Sequence, residues 1–265
     1  MPRAYQVISG RVTNPGATVT ALTPNTGDSF TIRNAVQGSA VFLENVWAQE
    51  ATIGTLRVIS NLLHDAVQAI RLRVDLTARP LLGYEVDQPL QPQDALTIGL
   101  SGGAAETDVG AALIWYEDHP GAQQALHSWE EIEPRIEHLV GVECNLTSGG
   151  TVGQYGGAQA LNANFDLLRK NRYYAVLGYT VDTVVGVVGL SGVATSSFRV
   201  GGPGSTDPDI TSDWFVELSK ATGRPHIVVL NAADVPSYSV DLVHTAAAAA
   251  VNVTWELALL TGTTP

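Results

Sequence analysis

The chain has 265 residues, 26 of them acidic and 14 basic, for a net charge of −12; hydrophobic residues make up 45% and charged residues 15%. Such a balance excludes a protein that tracks phosphates with Lys and Arg clusters, so direct nucleic-acid binding is not expected. The charged fraction lies well below the roughly 25% of an average soluble domain, which suits large buried cores or broad contacts between subunits, and the length fits one domain or two of ordinary size.

The first residues, Met1 to Gln6, lack the apolar core of a signal peptide, and no run of 18 apolar residues occurs, so synthesis and folding in a cytoplasm are expected. Short alternating segments follow: Val7–Val12, Ala17–Leu22 and Ser29–Arg33. Each is closed by turn formers such as Asn14-Pro15-Gly16 and Pro24-Asn25-Thr26-Gly27. Leu43, Val46 and Trp47 have helical spacing, so residues 42–51 stay open between helix and strand. Thr52–Ile59 reads as a strand. Ile70–Val74 alternates cleanly, with three apolar side chains on one face and Arg71 and Arg73 on the other.

Residues 80–115 then run through Pro80-Leu81-Leu82, a turn at Val86–Pro89, an alternating strand Leu96–Leu100 and a closing strand that reaches Trp115. Ala122–Leu139 changes character. Trp129, Ile132, Ile136 and Leu139 fall roughly on one face, and an amphipathic helix interrupted at Pro134 is expected, with Glu130, Glu131, Glu133 and Glu137 on a solvated side. A glycine-rich loop spans 148–157, and Ala158–Lys170 reads as a short helix. Tyr173–Leu190 is strand-like, and so is Phe198–Val200. Gly201-Gly202-Pro203-Gly204 opens a polar loop that runs to residue 213, and Trp214–Lys220 reads as a short helix or strand.

Residues 225–255 repeat the plan of 80–115. Pro225-His226-Ile227 precedes a turn at Ala233–Pro236, an alternating Ser239–Leu242, small residues, and a closing strand that reaches Trp255. The echo and the turn spacing predict an all-β chain of two tandem β-sandwiches or barrels joined by a short helical connector. The boundaries are 1–120 for the first, 121–139 for the connector and 140–265 for the second.

Residues able to carry chemistry do not assemble into a motif. The run 201–204 lacks the Gly-Lys-Ser/Thr of a phosphate loop, and Gly189-Leu190-Ser191-Gly192-Val193 misses the last glycine of a nucleophile elbow. Asp207, Asp209 and Asp213 are calcium candidates by residue type. Their spacing is not that of an EF-hand, and capping of turns is the favoured role. Cys144, the single cysteine, reads as a core residue, and Trp115 and Trp255 as matched core positions. Trp129, Trp214, Asp207 and Asp209 are the interface candidates. No cofactor and no catalytic residue is expected.

On the paired blocks 80–115 and 225–255, the chain resembles the double jelly-roll major capsid proteins of tailless icosahedral bacteriophages with an internal membrane. The resemblance covers nearly the whole chain and is architectural. It implies two tandem eight-stranded jelly-roll β-sandwiches side by side, in homotrimers with a pseudo-sixfold outline that tile a capsid. The implied partners are neighbouring trimers, penton or minor capsid proteins, and the internal viral membrane. The implied location is the virion capsid, after synthesis in the host cytoplasm. Residues 201–224 occur only in the second module, as a tower or an inter-trimer loop. The alternative is a glycan- or receptor-binding β-sandwich, of the viral-spike or lectin-like kind, using Trp129, Trp214 and the acidic loop. A hydrolase on a jelly-roll scaffold ranks third.

Overall fold

The structure is a computed structural model that describes residues 2–32, 36–50, 54–64, 68–74, 85–102, 106–161 and 171–262. In the first half the strands are β1 (Ala4–Thr13), β2 (Thr20–Ala21), β3 (Thr23–Pro24), β4 (Val41–Gln49), β5 (Gly54–Ser60), β6 (Ile70–Val74), β7 (Glu85–Leu90), β8 (Leu96–Ser101) and β9 (Thr107–Tyr116). The second half opens with β10 (Leu126–His127), helix α1 (Trp129–Ile132) and a 3-10 turn over Glu133–Arg135. It continues with β11 (Ile136–Thr147), β12 (Gln159–Ala160), β13 (Tyr173–Val181), β14 (Val185–Ser191) and β15 (Val200–Gly204). Helices α2 (Pro208–Thr211) and α3 (Trp214–Thr222) follow, then β16 (Ile227–Asn231), β17 (Ser239–Val243) and β18 (Ala250–Leu260).

These strands form four antiparallel sheets. The first half has β3-β1-β9-β4-β7 and β2-β8-β5-β6; the second has β10-β16-β13-β18-β11 and β12-β17-β14-β15. With the short β3 and β10 set aside, each half has eight strands in one order. One sheet takes its first, eighth, third and sixth strands, the other its second, seventh, fourth and fifth. That order is the jelly roll, and it occurs twice in tandem. The fold class read from the sequence is therefore the observed one.

The central sheet of the first half is apolar on both faces. On β1 and β9, Ala4, Ile8, Val12, Ala112, Ile114 and Tyr116 pack into the core of their own sandwich. The alternate residues Tyr5, Val7, Val109, Ala111, Leu113 and Trp115 belong to the core of the second half. A strand with one wet face alternates apolar and polar. Here both faces are covered, so from Val109 to Tyr116 every residue of β9 is buried. Gly186 of β14 lets the halves approach, since a Cβ there would stand 2.7 Å from a methyl of Val109. Backbone groups close the seam: Trp47 Nε1 donates to the Gly186 carbonyl at 2.6 Å, and Val7 N donates to the Arg199 carbonyl at 2.9 Å.

Several local readings change. The segment with helical spacing is strand β4. Its register against β9 and β7 shifts between Leu43 and Asn45, so Glu44 is an extra, bulged residue. The bulge moves the inward positions from Val41 and Leu43 to Val46 and Ala48, which mimics a helical spacing. The turn expected at Val86–Pro89 is part of strand β7. The expected helix over Ala122–Leu139 shrinks to α1 and its 3-10 turn, because β11 already begins at Ile136 and pairs with β18. Gly201–Gly204 is a buried strand rather than a loop. Its glycines leave room for an indole, since a Cβ on Gly202 would lie 2.4 Å from Trp214 Nε1. Gln159 and Ala160 are strand β12. Arg33, residues 52–53, 80–82 and 162–170 lie outside the described residues.

Because the seam is part of one continuous core, the two halves are expected to unfold together. Trp47→Ala should lower stability by about 3–5 kcal/mol and keep a single urea transition seen alike by fluorescence and circular dichroism. Two separated transitions in the unaltered protein would show that the halves stand independently.

Candidate functional site

Two groups of buried charged residues lie along the seam. The first begins at the bulge. Glu44 is 0% exposed, and Arg224 and His226, from the chain entering β16, reach its two carboxylate oxygens. Glu44 Oε1 accepts from Arg224 at 2.7 Å, and Oε2 lies 2.7 Å from His226 Nε2. Arg224 also meets Asp87 at 2.7 Å and Glu117 at 3.6 Å, and its guanidinium covers the Phe42 ring at 4.0 Å. The imidazole is packed between Tyr5 and Trp115, at centroid distances of 5.2 and 4.9 Å. Burial opposes the charge of Arg224, but hydrogen bonds and attraction from Asp87 and Glu44 outweigh it and hold its pKa above the ordinary value.

Beside this group opens a cavity of about 720 Å³, lined by Arg3, Glu117, Gln124, Ser128 and Pro225 among others. Thr222, His226 and Glu44 have the residue types of a hydroxyl–imidazole–carboxylate relay. Their geometry is structural. Thr222 Oγ1 lies 3.4 Å from His226 Nδ1 but donates to the Leu218 carbonyl at 2.7 Å. His226 itself is 0% exposed, packed against Tyr5 and Trp115.

The second group is built on Arg199. Its guanidinium meets Asp28 at 3.0 Å and Asp241 at 2.9 Å, and it lies 3.5 Å from the centroid of the Tyr155 ring. Asp28 also accepts from Ser9 Oγ at 2.8 Å and from the Tyr155 hydroxyl at 3.1 Å. Burial raises the pKa of both aspartates, and Arg199 pulls each back. Each group thus joins residues of one half to residues of the other.

A third pair lies inside the first sandwich. Glu50 and Asp108 are 6% and 2% exposed. Burial and then repulsion from Asp108 push the Glu50 carboxyl up to about 8.

The residues singled out from sequence fall as follows. Trp115 and Trp255 are core residues, and Cys144 is buried, its thiol pushed up to about 11 by burial and then by Glu143. Trp214 is only 5% exposed. Its indole donates to the Gly201 carbonyl at 3.1 Å and stands edge-on to Trp47, so it serves the seam rather than an outer surface. Trp129 is half-buried; its backbone N–H bonds Ser219 at 3.1 Å and Lys220 stands 5.2 Å from its ring. Asp207 caps α2 by accepting from Asp209 N at 3.2 Å, and Asp213 precedes α3. Of the three aspartates Asp207 alone caps a helix with its side chain, and among the described residues no three His, Cys, Asp or Glu are grouped as metal ligands. The stretch 201–224 packs against β13 and β16 instead of projecting as a tower. The seam ion pairs carry no sequence signal, because Glu44 and His226 are 182 positions apart and Asp28 and Arg199 are 171 apart.

No protein-family model matches the chain, and no curated protein matches it by sequence. Solved structures align along its length at low similarity. One is described by the triple jelly roll fold and turret assembly in an archaeal virus: 10% identity, 99% of this chain and 81% of the other, TM-score 0.27. A second is the PBSX exported protein XepA, at 10% identity, 96% and 86% coverage and TM-score 0.27. A third comes from the Sulfolobus Turreted Icosahedral Virus, at 10% identity, 99% and 81% coverage and TM-score 0.28.

Two outcomes follow from the buried charges. Arg199→Met strands two buried carboxylates and should cost about 3–5 kcal/mol. Those carboxylates then favour protonation, so the loss measured by denaturant unfolding should be larger at pH 8 than at pH 5. For Glu50, the folded pKa of about 8 lies above the ordinary 4.5. Its contribution is therefore complete below the unfolded value and is lost as pH rises through the folded one. Between pH 5 and 8 the unaltered protein should lose up to about 1.4 kcal/mol per pH unit relative to Glu50→Gln. Parallel stability curves for the two proteins would exclude this burial of a protonated carboxyl.

Proposed function

We propose that the chain is a structural virion protein, a major capsid protein that assembles as trimers into an icosahedral shell. The observation that carries the reading is the repeated eight-strand order in two sandwiches, fused through a sheet buried on both faces. Such a body is stiff and presents loops and strand edges outward. Sheet edges need covering, and a shell covers them with neighbouring copies. Low overall charge lowers the desolvation cost of such contacts. The two seam groups bind the halves to each other, which agrees with a structural role. On this reading the partners are copies of the chain itself, penton or minor capsid proteins at the vertices, and an internal membrane. The chain would then be found in the virion. The proposed boundaries are 1–120, 121–139 and 140–265, with β11 of the second sandwich reaching back to Ile136.

A glycan- or receptor-binding module is the second reading. The outer face of the second half favours it: Asn145 donates to Asn252 at 2.7 Å and Asn252 to Asp182 at 2.8 Å, beside Glu143, Thr180 and Thr254. Polar amides and carboxylates of that kind suit sugar hydroxyls.

Size-exclusion chromatography with light scattering, followed by electron microscopy, decides between them. A stable trimer that forms sheets or shells is the expected outcome. A monomer at all concentrations that binds a glycan array would replace the capsid reading with the second one.

A further inference from the structure

Among the described residues the four sheets end in eight terminal strands, and six of these edges are blunted. β2, β3, β10 and β12 are two residues long. β15 is buried from end to end. β7 carries Pro89, which has no N–H to offer, and Asp87 at a φ of 36°. Short strands, proline and cover are the usual protection of a sheet edge. Two longer terminal strands lack all three among the described residues, β6 in the first half and β11 in the second.

Bonded and non-bonded pairs alternate along an antiparallel ladder, and this fixes where each backbone group points. On β11, Ser148 N donates to the Ala249 carbonyl at 2.9 Å, one step beyond the pairing of Thr147 with Ala250. Val140, Val142 and Cys144 therefore bond β18, and Leu139, Gly141 and Glu143 turn their N–H and C=O to the open edge. The Gln159 amide closes the far end of that edge, donating to the Asn145 carbonyl at 2.6 Å and accepting from Thr147 N at 3.3 Å. On the other edge, Ile98 and Leu96 of β8 are bonded to Leu22 and Phe30, away from β5. β8 thus meets β5 through Thr97, Gly99 and Ser101, whose partners are Ile59, Arg57 and Thr55. Val58 and Leu56 are left to bond Ile70 and Leu72 of β6. Arg71 and Arg73 then turn their backbone groups to the open edge.

The two edges are complementary. β6 carries two exposed arginines, and the open stretch of β11 carries an exposed glutamate, Glu143. Aligned antiparallel with Arg71 opposite Glu143, the strands bring outward groups to outward groups. Arg73 then lies opposite Gly141, with Glu143 within diagonal reach of its long side chain. On the inner face, half-buried Leu72 falls beside Val142, and Val74 beside half-buried Val140. Two β6 edges would instead set arginines beside arginines.

We propose that β6 of one copy pairs with β11 of a second copy, in a head-to-tail contact. The proposal rests on the reading of the chain as an assembling shell protein and assigns the surfaces that meet. Contacts between unlike surfaces close into rings or extend as open arrays, and a trimer is such a ring.

The test uses the full chain in light scattering over a concentration series. Gly141→Pro and Arg73→Pro each remove one outward N–H and no ladder bond, so both should melt close to the unaltered protein. Each alone should need about tenfold or more higher concentration to assemble. Mixed, they should form a one-to-one dimer, because one chain keeps β6 and the other keeps β11. Charge reversal gives a second readout without proline. Arg71→Glu with Arg73→Glu should weaken assembly, as should Glu143→Arg, and all three in one chain should restore it. A mixture of the proline variants that stays monomeric, or undiminished assembly in either one, would overturn the pairing while the shell reading stands. Assembly lost in Gly141→Pro but kept in Arg73→Pro would assign β11 to a twofold contact with its own copy, and so overturn the head-to-tail pairing. An unaltered chain that is monomeric at every concentration would remove the shell reading and the contact together.

Discussion

The burial of one sheet on both faces is the constraint on which the rest of the molecule depends. β1, β9 and β4 send one set of side chains into the first sandwich and the alternate set into the second. A jelly roll can stand alone with its outer face wet, as an antiparallel sheet normally does. Here Tyr5, Trp47 and Trp115 make that impossible for the first half, since three large aromatics would face water if the second half were removed. The low charged fraction of the chain has part of its explanation here. Surface that would otherwise carry charge is enclosed within a single chain, before any contact with another copy.

Hydrophobic burial is nondirectional, so it does not by itself fix how one sandwich sits on the other. The seam ion pairs supply direction. Glu44 is delivered by a bulge, and a bulge serves to re-aim a side chain. Without the extra residue, the strand's alternation would place the carboxylate elsewhere. Elsewhere along the seam, Arg199 is committed to Asp28 of the first half and to Asp241 of its own. A buried ion pair is weak evidence of stability, because desolvation offsets much of the attraction, but an unpaired buried charge is costly. The two groups therefore penalise every arrangement of the halves that separates the partners, and this selects a single packing.

What was legible in the sequence follows the same physics. Alternation exposed the strands that keep one period along their length, such as β6 with its two outward arginines, β8, β17 and β18. It failed where the period breaks, at the Glu44 bulge in β4. It failed again at β15, where glycines make room for Trp214 and so resemble a loop. The short connector misled because Ile136 and Leu139 belong to the start of a strand, and Leu139 stands 72% exposed. The repeat was legible in part: the alternating strands β8 and β17 and the closing strands that reach Trp115 and Trp255 do correspond, but the turn matched at Val86–Pro89 is strand β7, whereas Ala233–Pro236 is a turn. The seam was not. The pairs Glu44–His226 and Asp28–Arg199 join residues more than 170 positions apart, and nothing near either partner in the chain marks it as one of a pair.

The halves share a strand order but not an outer surface, and this difference limits how copies can associate. β11, β18 and β13 of the second half correspond to β1, β9 and β4 of the first. Where the first half presents Tyr5, Trp47 and Trp115, the second presents Glu143, Asn145, Asp182 and Asn252, bonded largely to one another. A third sandwich docking in the same manner would have to desolvate those groups without apolar burial to compensate. Stacking by faces therefore ends after two units. In the proposed assembly, contacts with further copies would use the rims, where backbone groups are available for pairing. The twelve-residue β11 lies at the end of its sheet, carrying Leu139 in the open. Assembly by edges extends a layer sideways, whereas stacking by faces builds a column, and a shell one molecule thick requires the former.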